Sequence, residues 1–159
     1  MRKIRLLSIF VIGLIAIYVL FFIGNIYVEF FSEFMDPYRY LYDDFIFGYY
    51  TQQLVLQFFS VLSFIGLIYI RKSLKITLKN GLFNSKSSQN FISAGKYFFI
   101  SGILGVLFDI AVFFHSDGMT GFASFGQNFL LIILAFVLYI VADIIKNGND
   151  LKIDYELTI

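Results

Sequence analysis

Four long apolar stretches constrain this chain more than anything else in it. Leu6 to Val28 carries no charge, and neither does Phe45 to Ile70, of which Thr51 to Ile70 is the part expected in a membrane. Tyr97 to Phe114 carries one charge, Asp109. Gly118 to Ala142 carries none, and its Gly- and Ser-rich start reads as a turn. An α-helix rises about 1.5 Å per residue, so each stretch can cross a hydrocarbon layer roughly 30 Å thick. Helices are expected because an open sheet in lipid leaves backbone groups unpaired, and the alternation of a membrane barrel is absent. Composition agrees: 59% of the 159 residues are hydrophobic and 14% charged, against roughly a quarter charged in soluble domains. The expected fold is all-α, an integral membrane four-helix bundle forming one domain over 1–159. Its helices are placed near 5–32, 50–79, 85–115 and 125–148, with a tail over 149–159.

The start, Met1-Arg2-Lys3-Ile4-Arg5, has the charge of a signal peptide. The apolar run behind it is too long for one, and bulky Phe21, Phe22 and Ile26 stand where a cleavage site needs small residues. It reads as a retained first helix. Basic residues then set the orientation. Arg2, Lys3 and Arg5 precede the first run, and Arg71, Lys72, Lys75, Lys79, Lys86 and Lys96 follow the second. Lys146 and Lys152 follow the fourth, while the other two loops hold only Arg39. By the positive-inside rule both termini and the central loop are expected in the cytoplasm.

The first external segment, Glu29 to Tyr50, interleaves Glu29, Glu33, Asp36, Asp43 and Asp44 with many aromatic residues. Asp36-Pro37 has the pattern of a helix start, a capping Asp and a Pro at the first helical position. A short interfacial helix between helices one and two is therefore expected, its rings forming a belt at the membrane surface. A pocket for a lipid-like or aromatic ligand is the sharper alternative. The second external loop, His115 to Gln127, is short and Gly-rich.

Asp109 is the polar residue that most needs an explanation, since an ionisable group within a membrane helix is costly and marks function by default. His115 and Asp117 lie six and eight residues on and could join it in a proton-accepting or metal-binding cluster, though those spacings do not put all three on one helical face. The structural alternative is an Asp109 hydrogen-bonded to Tyr, Ser or Asn on a neighbouring helix. Gln53 and Gln57 near the outer end of helix two, and Asn128 at the start of helix four, are candidates to bond across helices at that level. Ser101-x-x-x-Gly105 is a small-residue pair suited to close helix approach, expected within the bundle more than in a dimer. There are no cysteines, no metal-ligand spacing, and no GxSxG, HExxH, phosphate-loop or dinucleotide motif. No cofactor, metal or catalytic residue is assigned.

The central loop starts as a basic extension of helix two. Asn80-Gly81 is expected to end that helix, with Gly81 in a left-handed conformation. Leu82-Phe83 forms an apolar plug, and Asn84 or Ser85 caps the next helix. The result is a helical hairpin between helices two and three. In the tail, apolar residues at 151, 153, 155, 157 and 159 alternate as in a strand, while Leu151 and Tyr155 also share a helical face.

Two short patterns, Lys79-Asn80-Gly81-Leu82-Phe83-Asn84 and Lys146-Asn147-Gly148 with Leu151 and Glu156-Leu157-Thr158-Ile159, resemble those of small bacterial four-helix membrane proteins grouped as the DUF2975 family, of unknown function. Leu82 stands where the family often has Pro, and Glu156 where it often has Asp. The resemblance implies fold and location, and a membrane partner for a helix-turn-helix regulator.

On sequence, the foremost reading is therefore a regulatory or interaction protein in the lipid bilayer. Its Gly81, Phe83 and Asn84 turn and its Glu156, Leu157, Thr158 and Ile159 end are expected to meet and to engage a soluble partner. Direct nucleic-acid binding is not expected, and oligomers are compatible with the sequence. The alternatives are a small transporter or peptide-resistance protein using Asp109 with Gln53, Gln57 or Asn128, and a membrane enzyme using Asp109 and His115.

Overall fold

The computed structural model of the chain describes residues 2–35, 48–115 and 122–157. Helix α1 spans Arg2–Phe31 and is followed by a 3-10 turn, Glu33–Met35; α2 spans Gly48–Asn80, α3 Ser85–His115 and α4 Phe122–Leu157. All four helices are long and apolar enough to cross a bilayer, as in a multi-pass membrane protein. The interfacial helix expected after Asp36-Pro37 falls on 36–47, outside the described residues.

Local chemistry sets the α2–α3 turn. Gly81 has φ +91°, and its N–H donates to the Thr77 carbonyl at 3.1 Å. That is the single bond of a left-handed helix cap, a conformation a β-carbon would strain. Asn84 opens α3, its side-chain oxygen accepting the Lys86 N–H at 3.0 Å and so satisfying a donor that the first turn leaves unpaired.

Helix α4 runs nine residues past the end expected at 148. No Pro follows Gly148, and a lone Gly lowers helix propensity by only about 1 kcal/mol. The strand-like alternation of the tail is thus built as helix through Leu157.

Helix α3 is the centre of the bundle. It packs antiparallel on α4, most extensively, and on α2. Small residues let these backbones approach: a β-carbon on Gly95 would stand 2.8 Å from the Tyr139 ring, and one on Gly102 2.7 Å from Ile132 Cγ1 and 2.9 Å from the Asn128 carbonyl oxygen. Gly66 of α2 lies under the Phe98 ring in the same way. Helix α1 is attached more loosely, mainly along α2. Leu20 and Phe21 are 71% and 68% exposed, the outward-facing apolar surface expected of a helix in lipid.

The hairpin half and the opposite half of the bundle differ. Toward the hairpin the interior is solid, with Leu74, Phe91, Ala94, Phe98, Ala135, Leu138, Ala142 and Ile145 in one cluster that Val11 of α1 joins. Toward the other end, polar side chains surround open space.

Candidate functional site

That space is a cavity of about 310 Å³ lined by all four helices. Helix α1 contributes Tyr18, Asn25 and Glu29; α2 contributes Gln53, Gln57, Ser60 and Ser63. Helix α3 contributes Ser101, Gly105 and Asp109, and α4 Gln127 and Asn128. Glu29 and Tyr18 are eleven residues apart on one helix, so the cavity reaches roughly 16 Å from the helix ends toward the bundle centre. The volume lies at the small end of ligand sites, roughly 300–1,000 Å³.

Asp109, 4% exposed, accepts a 2.6 Å hydrogen bond from the Asn128 side-chain amide. Asn128 is held in turn by Gly105, one turn before Asp109. A β-carbon at 105 would collide with the Asn128 amide, so the absence of a side chain there lets the amide reach the carboxylate. Near the mouth, the Tyr49 hydroxyl donates to Glu29. Two carboxylates therefore face one cavity that no basic side chain lines among the described residues. Cationic or hydrogen-bond-donating solutes match such a lining. No group of three metal-ligating side chains occurs among the described residues.

The inner end of the cavity is closed. The Ser63 and Ser101 hydroxyls lie 2.9 Å apart, and Ser101 donates to the Phe59 carbonyl at 2.9 Å. The Tyr18 hydroxyl donates to the Ser60 carbonyl at 2.7 Å, and its ring stacks on Phe64 with centroids 5.6 Å apart. Beyond this floor begins the packed hairpin half, so the space is a blind cleft.

Gln53, Gln57, Asp109 and Asn128, singled out in the sequence, thus line one cavity. His115 ends α3, its side chain outside the described residues. Glu29, Tyr18 and the serines of the floor were not singled out. Glu29 reads as loop in the sequence, and a serine in an apolar run carries no signal until its partner is known.

At the hairpin end, Phe83 packs on Gly148 of α4 so closely that a β-carbon there would overlap the ring. The hairpin tip therefore meets the last helix at 148, not at its end. Leu157 lies nine residues further, roughly 13 Å along the axis, and is 80% exposed. Asn84 is committed to capping α3 and Gly81 to ending α2. The side chain of Glu156 and all of Thr158 and Ile159 lie outside the described residues.

Beneath the turn sits a buried hydroxyl network. Ser73 Oγ is 2.7 Å from both the Ser87 carbonyl and Ser87 Oγ, and Thr77 Oγ1 is 2.7 Å from Ser87 Oγ. Ser88 donates to the Ala142 carbonyl at 2.8 Å, tying α3 to α4. Comparison with known protein families, curated proteins and solved structures finds no match.

Proposed function

We propose that this chain is a regulatory protein of a bacterial cell membrane that binds a small cationic solute in the four-helix cavity. Its termini and the α2–α3 turn lie in the cytoplasm, and the cavity opens to the opposite side, where the segment after Asp36-Pro37 forms an interfacial helix. The carrying observation is the blind cleft: Glu29, Gln53, Gln57, Asp109 and Asn128 converge from four helices on space that stops against a packed core. A blind acidic site suits sensing better than passage. The distribution of basic residues, eleven on the hairpin side against Arg39, supports the orientation.

The output in this reading is the end of α4. Leu151, Tyr155 and Leu157 are 70–80% exposed on a helix that continues past the hairpin contact at Gly148. Such apolar exposure outside the lipid favours a soluble partner. The resemblance to the DUF2975 family makes a helix-turn-helix regulator the candidate.

The test of the ligand site is thermal unfolding of the purified full chain with methylammonium or putrescine, against acetate and glycerol. A bound solute raises the midpoint by linkage, about 2.7 kcal/mol at one hundred times its dissociation constant. The cations are expected to raise it, and Asp109→Asn to abolish the rise. No rise with either cation, or an equal rise with acetate, would overturn the reading. Transport stays distinguishable, because a transporter would move labelled methylammonium into proteoliposomes and a sensor would not.

A further inference from the structure

A second polar site lies on the outside of the bundle, in the groove between α2 and α3 toward the hairpin. It is a cavity of about 300 Å³ lined by Tyr69, Ser93, Lys96, Tyr97 and Ile100. The Tyr69 and Tyr97 rings stack across the groove, centroids 5.6 Å apart and 16° from parallel. Lys72 Nζ stands 4.9 Å above the Tyr69 ring, within reach of a cation–π contact. Lys96 thus lines the groove, Lys72 stands over one of its rings, and no carboxylate is among the lining residues.

The level of this groove in the bundle is fixed by the sequence. On α2 the uncharged run ends at Ile70, directly before Arg71 and Lys72; on α3 the apolar run begins at Tyr97, directly after Lys96. The stacking of Tyr69 on Tyr97 brings those two borders side by side. The site therefore sits where hydrocarbon gives way to headgroups, with Ile100, 46% exposed, one turn deeper on the lipid side.

We infer that this groove binds the headgroup of an anionic phospholipid from the leaflet on the hairpin side. Lys96, with Lys72 at the rim, neutralises the phosphate, the Tyr97 hydroxyl offers it a hydrogen bond, and an acyl chain runs down past Ile100. Basic pockets between membrane helices at this depth suit that chemistry, each Lys contributing about 1 kcal/mol. A free phosphate ion would satisfy the lysines and leave the apolar half of the groove without a use.

The experiment is native mass spectrometry of the full chain in detergent, titrated with dioleoyl phosphatidylglycerol or dioleoyl phosphatidylcholine, with inorganic phosphate as competitor. Phosphatidylglycerol is expected to bind more tightly than phosphatidylcholine. Lys96→Gln and Lys72→Gln should each weaken it about fivefold, and Lys96→Arg should retain it. Lys79→Gln removes an exposed charge roughly 10 Å beyond Lys72 along α2 and should change binding less than about twofold. These lysines are exposed, so the variants keep the fold, and an unchanged unfolding midpoint verifies it. Equal binding of the two lipids, equal weakening by Lys79→Gln, or displacement of the lipid by millimolar phosphate would each overturn the inference.

Discussion

The Asn128 amide donates to the Asp109 carboxyl at 2.6 Å across the α3–α4 interface, and Gly105 supplies the room for it. A membrane helix thereby carries a buried carboxyl group with a built partner. Asn128→Ala removes the donor and should cost about 1–2 kcal/mol of unfolding free energy, read from a denaturation curve. Asp109→Asn keeps shape and hydrogen-bonding capacity and should cost less, while losing cation binding. A larger loss of stability from Asp109→Asn than from Asn128→Ala would contradict this division of roles.

Glycine substitutions separate packed from lipid-facing positions. Gly102→Ala drives a β-carbon against the Asn128 carbonyl and Ile132, and backbone cannot swing aside; the expected loss is about 1–3 kcal/mol. Gly13→Ala and Gly24→Ala point into open space and should lose no stability, gaining up to about 1 kcal/mol of helix propensity.

The contact of Phe83 with Gly148 predicts an effect that depends on the background. In the wild-type chain, Gly148→Ala gains helix propensity but displaces the ring, so the two effects offset. In a Phe83→Ala background only the propensity gain remains, about 1 kcal/mol. A double-mutant cycle on the unfolding midpoint measures the coupling, and additivity of the two changes would refute the contact.

The hydroxyl network under the turn predicts non-additivity. Ser87→Ala takes the hydroxyl partner from buried Thr77, while Ser73 keeps its bond to the Ser87 carbonyl, and should cost about 1–3 kcal/mol. The triple change Ser73→Ala, Thr77→Val and Ser87→Ala removes the whole set and should cost less than the sum of its parts.

The parts of this structure legible in the sequence are those that act locally. An uncharged run long enough for a membrane specifies its helix alone, and Gly81 and Asn84 fix the turn through their own backbone bonds. Asp109 stands out because a carboxyl group in an apolar run is costly wherever its partner is. Ser73, Thr77, Ser87 and Ser88 give no such signal, since a hydroxyl within a helix can satisfy itself on the preceding turn, as Ser93 does on Gln89. The register that aligns α2 with α3 decides which serines meet. Glu29 was hidden by its place at the border of a run, and the length of α4 by a tail whose apolar residues fit two periods. The blind end of the cavity depends on Gly66, Phe98 and the Ser63–Ser101 pair meeting at one level, which no single segment reveals.

The sequence contains no cysteine, so a single introduced thiol reports whether the cavity is open to water. A Gln57→Cys variant places one thiol in the cavity, and a Phe58→Cys variant places one on the neighbouring exposed position, facing lipid. In intact cells a membrane-impermeant maleimide should label the first and not the second, because only a hydrated thiol ionises and reacts. Putrescine should slow that labelling. If Gln57→Cys is unlabelled in intact cells, or is labelled only once the membrane is opened, the cavity is not an aqueous site on the outer face and the proposed sensing role is wrong.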